Sequence, residues 1–269
     1  MSTSQRGHDS ANPRRRLVED GTRSPSEQRP GTTTAHLNPA ARFHPNILLP
    51  GDPGRAMAIA TGGLTEPRMF NHRRGLWGYS GHSHEGTGFL VQATGMGGPS
   101  AAIVCEELAD LGAELFLRVG TCGAIDPALK LGDLVVVRET ICDDGASRAL
   151  EVGDRIAADS ELSELLIETA TAIGHATHAA VNATVDLFYD PLADQRYRRL
   201  HAAGASSIEM ECAAVLAVGA RRGVRAACLL VVTDELWGDR RRRMNHEGIE
   251  QAGELLGTVG IRAVETLLK

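Results

Sequence analysis

Four polar clusters in this chain each follow or close a short apolar run. Gly51-Asp52-Pro53-Gly54-Arg55 follows Ile47-Leu48-Leu49, and Gly95-Met96-Gly97-Gly98-Pro99-Ser100 follows Phe89-Leu90-Val91. Arg118-Val119-Gly120-Thr121-Cys122-Gly123 ends a third run, and Thr233-Asp234 ends a fourth. Glycine lets a backbone approach a ligand, helix starts aim N–H groups at anions, and guanidinium forks grip oxyanions in pairs of hydrogen bonds. Amides at Gly51 and at the helix start beside Pro99, together with Arg55 and Arg118, therefore suit a compact anion, phosphate above all. Asp234 suits either capping or proton transfer. Gly95-x-Gly97 is half of a dinucleotide fingerprint, but the third glycine position is Ser100. No strand with an acidic end follows at about 20 residues either, which argues against a nicotinamide site.

The elements that must hold these clusters alternate. Strands are expected at Ile47–Leu49, Phe89–Val91, Leu115–Val119, Leu134–Arg138 and Ala227–Thr233. Helices are expected at Pro99–Leu111, from a capping Ser160 to about Ile173, over Glu209–Arg222, and along the C-terminus. The last carries Ile249, Ala252, Leu256, Val259, Ala263 and Leu267 at spacings of three and four. Such alternation implies an α/β fold with a parallel or mixed sheet. Ligands of open α/β sheets lie outside the carboxyl ends of strands, so the four clusters are expected to line one pocket.

No internal repeat or Pro/Gly/Ser-rich linker interrupts residues 46–269, and residues 36–269 read as one domain. Residues 1–35 are dominated by Ser, Thr, Pro and Arg and are expected to be a disordered extension, with too little apolar surface to offset ordering entropy. Arg14-Arg15-Arg16 is followed by Glu19 and Asp20, and the net charge is −6, so nucleic-acid binding is not expected. No apolar run is longer than Ala226–Val232, far short of the ~20 residues of a membrane span. Lys occurs only at Lys130 and Lys269, so the arginine excess is mostly compositional. Five Cys without a CxxC pair suggest neither disulfides nor a zinc site, and fit a reducing cytoplasm.

The clusters, in this order, resemble the nucleoside phosphorylase family with trimeric and hexameric members, which contains bacterial purine nucleoside phosphorylases and uridine phosphorylases. The resemblance runs from His36 to the C-terminus. It implies a single three-layer α/β/α domain whose mixed sheet curls into a distorted barrel. It also implies cleavage of a nucleoside by inorganic phosphate to a free base and (deoxy)ribose 1-phosphate, with no cofactor or metal. Carried over residue by residue, the resemblance assigns phosphate to Gly51, Arg55, Arg118 and Thr121. In SIEMECAA, Met210 packs on the ribose and Glu211 holds its 2′- and 3′-hydroxyls, with Met96 near the sugar. Phe188 of Asp186-Leu187-Phe188-Tyr189 is set to stack on the base, and Asp234 to protonate N7 as general acid. His36 and Arg74 resemble residues lent by a neighbouring subunit, to the ribose 5′-hydroxyl and to phosphate respectively. That implies a homo-oligomer, expected as a hexamer, with a dimer as the minimal catalytic unit.

Purine specificity rests on two features. Uridine enzymes carry a Gln-x-Arg pair in an insertion before the Glu-Met-Glu segment; here Asp190–Ile208 is too short, and Gln195-Arg196 is an adjacent pair. Thr233-Asp234 resembles the Ser-Asp of purine-specific members. Against this, Asp143-Asp144-Gly145-Ala146-Ser147 resembles the uridine branch. Purine-type members also place an Arg shortly after the acid, where this chain has Glu247; the run Arg240–Arg243 lies a few residues earlier. Alternatives are a uridine or methylthioadenosine phosphorylase, a nucleosidase (disfavoured by the phosphate residues), and a catalytically silent nucleoside- or nucleic-acid-binding protein (disfavoured by Asp234 and Glu211).

Overall fold

A computed structural model describes residues 34–238 and 241–269. The expected extension lies outside the described residues up to position 33, as do Arg14-Arg15-Arg16 and Arg240. In chain order the elements are β1 (Asn46–Leu49), α1 (Pro53–Gly63), β2 (Thr65–Asn71), β3 (Gly78–His82), β4 (Gly88–Gln92), α2 (Gly98–Asp110) and β5 (Leu115–Ala124). Then follow β6 (Leu134–Asp143), α3 (Gly145–Ala149), β7 (Arg155–Ala157), α4 (Ser160–Ala172), β8 (Thr177–Val185) and α5 (Ala193–Ala202). The chain ends with β9 (Ser207–Glu209), α6 (Cys212–Arg222), β10 (Arg225–Glu235), β11 (Arg242–Arg243) and α7 (His246–Leu267).

The mixed sheet closes on itself. β5 pairs with both β10 and β9, and β10–β6–β8–β9 completes a ring, from which β1, β4, β3 and β2 extend. Along β1, Ile47 and Leu49 enter one apolar core with α2 and α6, whereas Leu48 enters the other with α1, α4 and α7. Alternate residues of a strand thus bury on opposite faces, as a sheet covered by helices on both sides requires. The result is the expected α/β/α layering around a barrel-like ring. Among the described residues no helix is long and apolar enough to cross a membrane.

Three expected boundaries are corrected. Helix α4 is capped by Asp159, whose Oδ1 accepts from the Leu162 amide at 2.9 Å, and Ser160 lies inside it. Strand β5 does not stop at the Arg118–Gly123 cluster but runs through it, because β10 pairs along its length and β9 takes up Gly123 and Ala124. The helix expected from Glu209 starts at Cys212. Glu209 ends β9, and its Oε2 accepts the amides of Glu211 and Cys212 at 2.7 and 2.9 Å, which fixes the strand-to-helix corner.

Candidate active site

The parallel strands β1, β4, β5 and β10 end on one side of the sheet, and a cavity of about 660 Å³ opens there. It is lined by Gly51, Arg55, Arg74, Met96, Arg118 and Thr121, and by Phe188, Met210, Glu211 and Asp234. All the residues assigned to the site from sequence therefore meet in one place, with the exception of His36.

At one end sits the cradle. Asp52 caps α1 by accepting the Arg55 amide at 2.7 Å, and Pro53 starts the helix, so the turn after β1 is rigid. The Gly95 amide donates to the Gly51 carbonyl at 3.0 Å, and a Cβ on Gly51 would come within 3.2 Å of the Gly95 oxygen. A side chain at position 51 would crowd this contact and push the Gly95 backbone by a few tenths of an ångström. Arg55 lays its stem along Gly253 of α7; burial pushes its guanidinium down, while Asp52 and Glu211 pull it up and Arg118 adds to the lowering.

Arg118 is almost fully buried. Its Nε donates to Glu209 Oε2 at 2.9 Å and its Nη2 to Glu211 Oε2 at 2.5 Å. Burial opposes its charge, but Glu211 and Glu209 hold it protonated well above the ordinary arginine range. Nη1 is buried without a partner. A buried donor without a partner calls for an explanation, and this one belongs to a residue that lines the cavity. Glu209 is satisfied on both oxygens, since Oε1 also accepts from Thr184 Oγ1 at 2.6 Å and Asn182 Nδ2 at 3.2 Å.

At the start of α2 the amide of Gly97, the residue before the helix, is taken up within the chain: it donates to Glu211 Oε1 at 2.5 Å. The positive end of α2 is occupied by a carboxylate of the same chain. Glu211 thereby bridges α2 and Arg118, held at the cavity wall by both.

At the other end, β10 carries a bulge between Val232 and Asp234. A bulge turns the following side chain out of strict alternation, and here it turns Asp234 to the cavity. Thr233 Oγ1 donates to Asp234 Oδ2 at 2.9 Å. The chain then returns as β11, in register so that Asp234 faces Arg243 and Glu235 faces Arg242. Arg243 Nε lies 3.5 Å from Asp234 Oδ1, and its guanidinium carbon is 5.7 Å from the Phe188 ring centre. Arg242 turns to Glu235 and Arg241 to Asp194. Glu247 lies in the first turn of α7.

The sequence does not distinguish among Arg240–Arg243, and it places Glu209 at the start of a helix rather than at the end of a strand. Gly238, which takes a positive φ of 74°, is a local signal of the turn before β11; the register that sets Arg243 opposite Asp234 comes from the fold. For Glu209 the signal was the short Ser207-Ile208-Glu209 strand directly before Met210.

His36 lies outside its own chain's cavity, bonded to Glu107 through Nδ1 at 2.7 Å. Arg74, in the 3-10 turn Arg73–Gly75, lines the cavity of its own chain. The residues resembling the uridine branch are used structurally. Asp143 accepts from Arg148, Arg196 and Arg199 at 2.9, 2.8 and 2.6 Å, and Arg196 also binds Asp190. Arg196 thus fastens the segment after Phe188 and Tyr189 to β6.

Arginines and an acid lining one cavity at the strand ends suit a group-transfer enzyme of the α/β class. Residues 45–269 match the family described as the Phosphorylase superfamily, and the chain belongs to that family. It is 34% identical over 217 residues to a DeoD-type purine nucleoside phosphorylase of Geobacillus kaustophilus, covering 77% of this chain and 91% of that protein. A second DeoD-type enzyme, from Colwellia psychrerythraea, is 32% identical over 197 residues (72% and 83%). A uridine phosphorylase of Thermococcus kodakarensis is 33% identical over 201 residues (69% and 71%).

Proposed function

We propose that this chain phosphorolyses purine nucleosides, releasing the base and forming (deoxy)ribose 1-phosphate. The observation that carries the reading is Asp234, turned into the cavity by the bulge and faced by Arg243, with the Arg55–Arg118 cradle across the same cavity. Phosphate is held by the Gly51 amide, Arg55, Arg74, Arg118 and Thr121. Glu211 and Met210 orient the ribose, with Met96 beside it, and Phe188 stacks on the base. A phosphate oxygen bonds C1′ as the C1′–N9 bond breaks; the electron pair passes into the purine and N7 takes the proton of Asp234. The anion beside C1′ stabilises the oxocarbenium-like transition state, and the acid contributes typically ~10²–10⁴ in rate. Arg243 is the arginine that assists Asp234, in place of Glu247.

His36 has no part in its own cavity, which supports a homo-oligomer in which a neighbour lends it to the ribose 5′-hydroxyl; a hexamer fits the family resemblance. Arg74 can serve phosphate from its own chain. No cofactor is needed beyond phosphate as co-substrate, and a cytoplasmic location fits five cysteines that are all free and buried.

The test is product analysis with inosine, adenosine, methylthioadenosine and uridine, each with and without phosphate. Phosphate-dependent release of purine is expected. Release without phosphate would overturn the phosphorylase reading, and uridine as sole substrate would overturn the purine one.

A further inference from the structure

The segment Thr34–Asn38 crosses α2 as a strap, and one carboxylate fastens it. Glu107 accepts the backbone amides of Ala35, His36 and Leu37 at 3.1, 2.9 and 2.7 Å, and its Oε1 lies 2.7 Å from His36 Nδ1. The Leu37 side chain is fully buried beneath, and Thr34 Oγ1 closes the turn on the Leu37 carbonyl at 2.6 Å. Beyond it the Asn38 amide donates to Asn71 Oδ1 at 2.9 Å, while Asn71 Nδ2 donates to the Leu76 carbonyl at 2.6 Å. The strap is thereby tied to the turn that carries Arg74.

Besides the three amides, the same carboxylate holds the imidazole. Burial raises the Glu107 carboxyl, but the Leu37 amide and the His36 side chain and amide outweigh it and hold it below the ordinary carboxylate range. An ionised carboxylate only accepts, so His36 Nδ1 must carry the hydrogen. In the neutral ring Nε2 is then an acceptor, and the side chain is 30% exposed. A carboxylate behind an imidazole is a general way of fixing which nitrogen is protonated and where the ring points.

We propose that Glu107 is a positioning residue for catalysis: it fixes His36 as the Nδ1–H tautomer, so that Nε2 accepts a hydrogen bond from the 5′-hydroxyl of a nucleoside in an adjoining subunit. The inference rests on the reading of His36 given above. It makes the site selective for nucleosides with a hydrogen-bond donor at the 5′ position over 5′-deoxy and 5′-methylthio analogues.

The experiment compares inosine with 5′-deoxyinosine in the wild type, Glu107→Gln, His36→Ala and the double variant, each checked for the wild-type oligomer. Glu107→Gln is expected to raise KM for inosine about tenfold with kcat little changed, to leave 5′-deoxyinosine unaffected, and to add nothing to His36→Ala. A loss of equal size on both substrates would show that Glu107 only anchors the strap and would overturn the proposal. An effect of His36→Ala on inosine that Glu107→Gln does not share would overturn it too. If His36→Ala itself treats the two substrates alike, the reading of His36 fails instead. Nitrogen-15 shifts of His36 in the wild-type assembly give a check that no variant can disturb. The Nδ1–H tautomer is expected, and the Nε2–H tautomer would overturn the inference.

Discussion

The two ends of the cavity are built on opposite principles. At the cradle, Arg118 is 3% exposed and Glu209 and Glu211 are each 6% exposed, and hydrogen bonds from four elements fix them. At the opposite end Phe188 is 54% and Leu187 52% exposed, and the arginine facing Asp234 lies on a two-residue strand. Under the proposed function the difference follows from what each end must do. Charge stabilisation works when donors are fixed before the reaction and water is kept away, so its cost is met during folding. A planar base needs only a face to stack on, which a partly open aromatic supplies, and the ligand itself completes the burial.

Substitutions at the two ends should therefore fail in different ways. The largest effect is expected for Glu209→Ala, which leaves Arg118 buried with one carboxylate and frees two amides. Breaking such a pair typically costs ~3–5 kcal/mol, to be seen in denaturant unfolding. A stability within 1 kcal/mol of wild type, on the order of a surface substitution, would show that the cradle is not prestressed in this way. Next, Asp234→Asn is expected to lower kcat on natural purine nucleosides by ~10²-fold or more while leaving the fold intact. Unchanged turnover would remove Asp234 as the acid.

Smaller losses belong to the open end. Phe188→Ala should raise KM for the nucleoside by roughly threefold to tenfold, the worth of an aromatic stack, with the thermal midpoint unmoved. Arg243→Gln should lower kcat by only about twofold to fivefold, since its pairing with Asp234 is exposed; a much larger loss would show that the ligand buries it. Removing residues 1–33 is expected to change neither turnover nor thermal midpoint, and a substantial loss in either would place those residues in the structured domain.

Much of this was legible from local chemistry. Pro53 and Asp52 mark the start of α1, Pro99 marks α2, and the spacing of Ile249 through Leu267 marks α7, because caps and periodicity act within a few residues. The glycine clusters were legible for the same reason. The strand-to-helix corner at Glu209–Cys212 was not, since its cap is Glu209 reaching forward over two amides. Nor was the length of β5, which depends on partners far along the chain. The role of Gly97 was hidden as well: a helix start facing an anion site and one facing a glutamate from α6's N-terminus have the same sequence.

By itself the sequence determined which residue types are present and in what order: two anion-gripping arginines, a strand-end acid, an acid pair around Met210, and an alternation of strands and helices. Tertiary structure alone decided which of them act together. The closure of β5 on β10 and β9 brings Arg118 between Glu209 and Glu211, and the return of β11 selects Arg243 from a run of like residues. The strap fastened to Glu107 keeps His36 out of its own cavity. The physical reason is range: propensity and capping act over a turn or two, whereas a buried charge is fixed by whatever partner the fold carries to it.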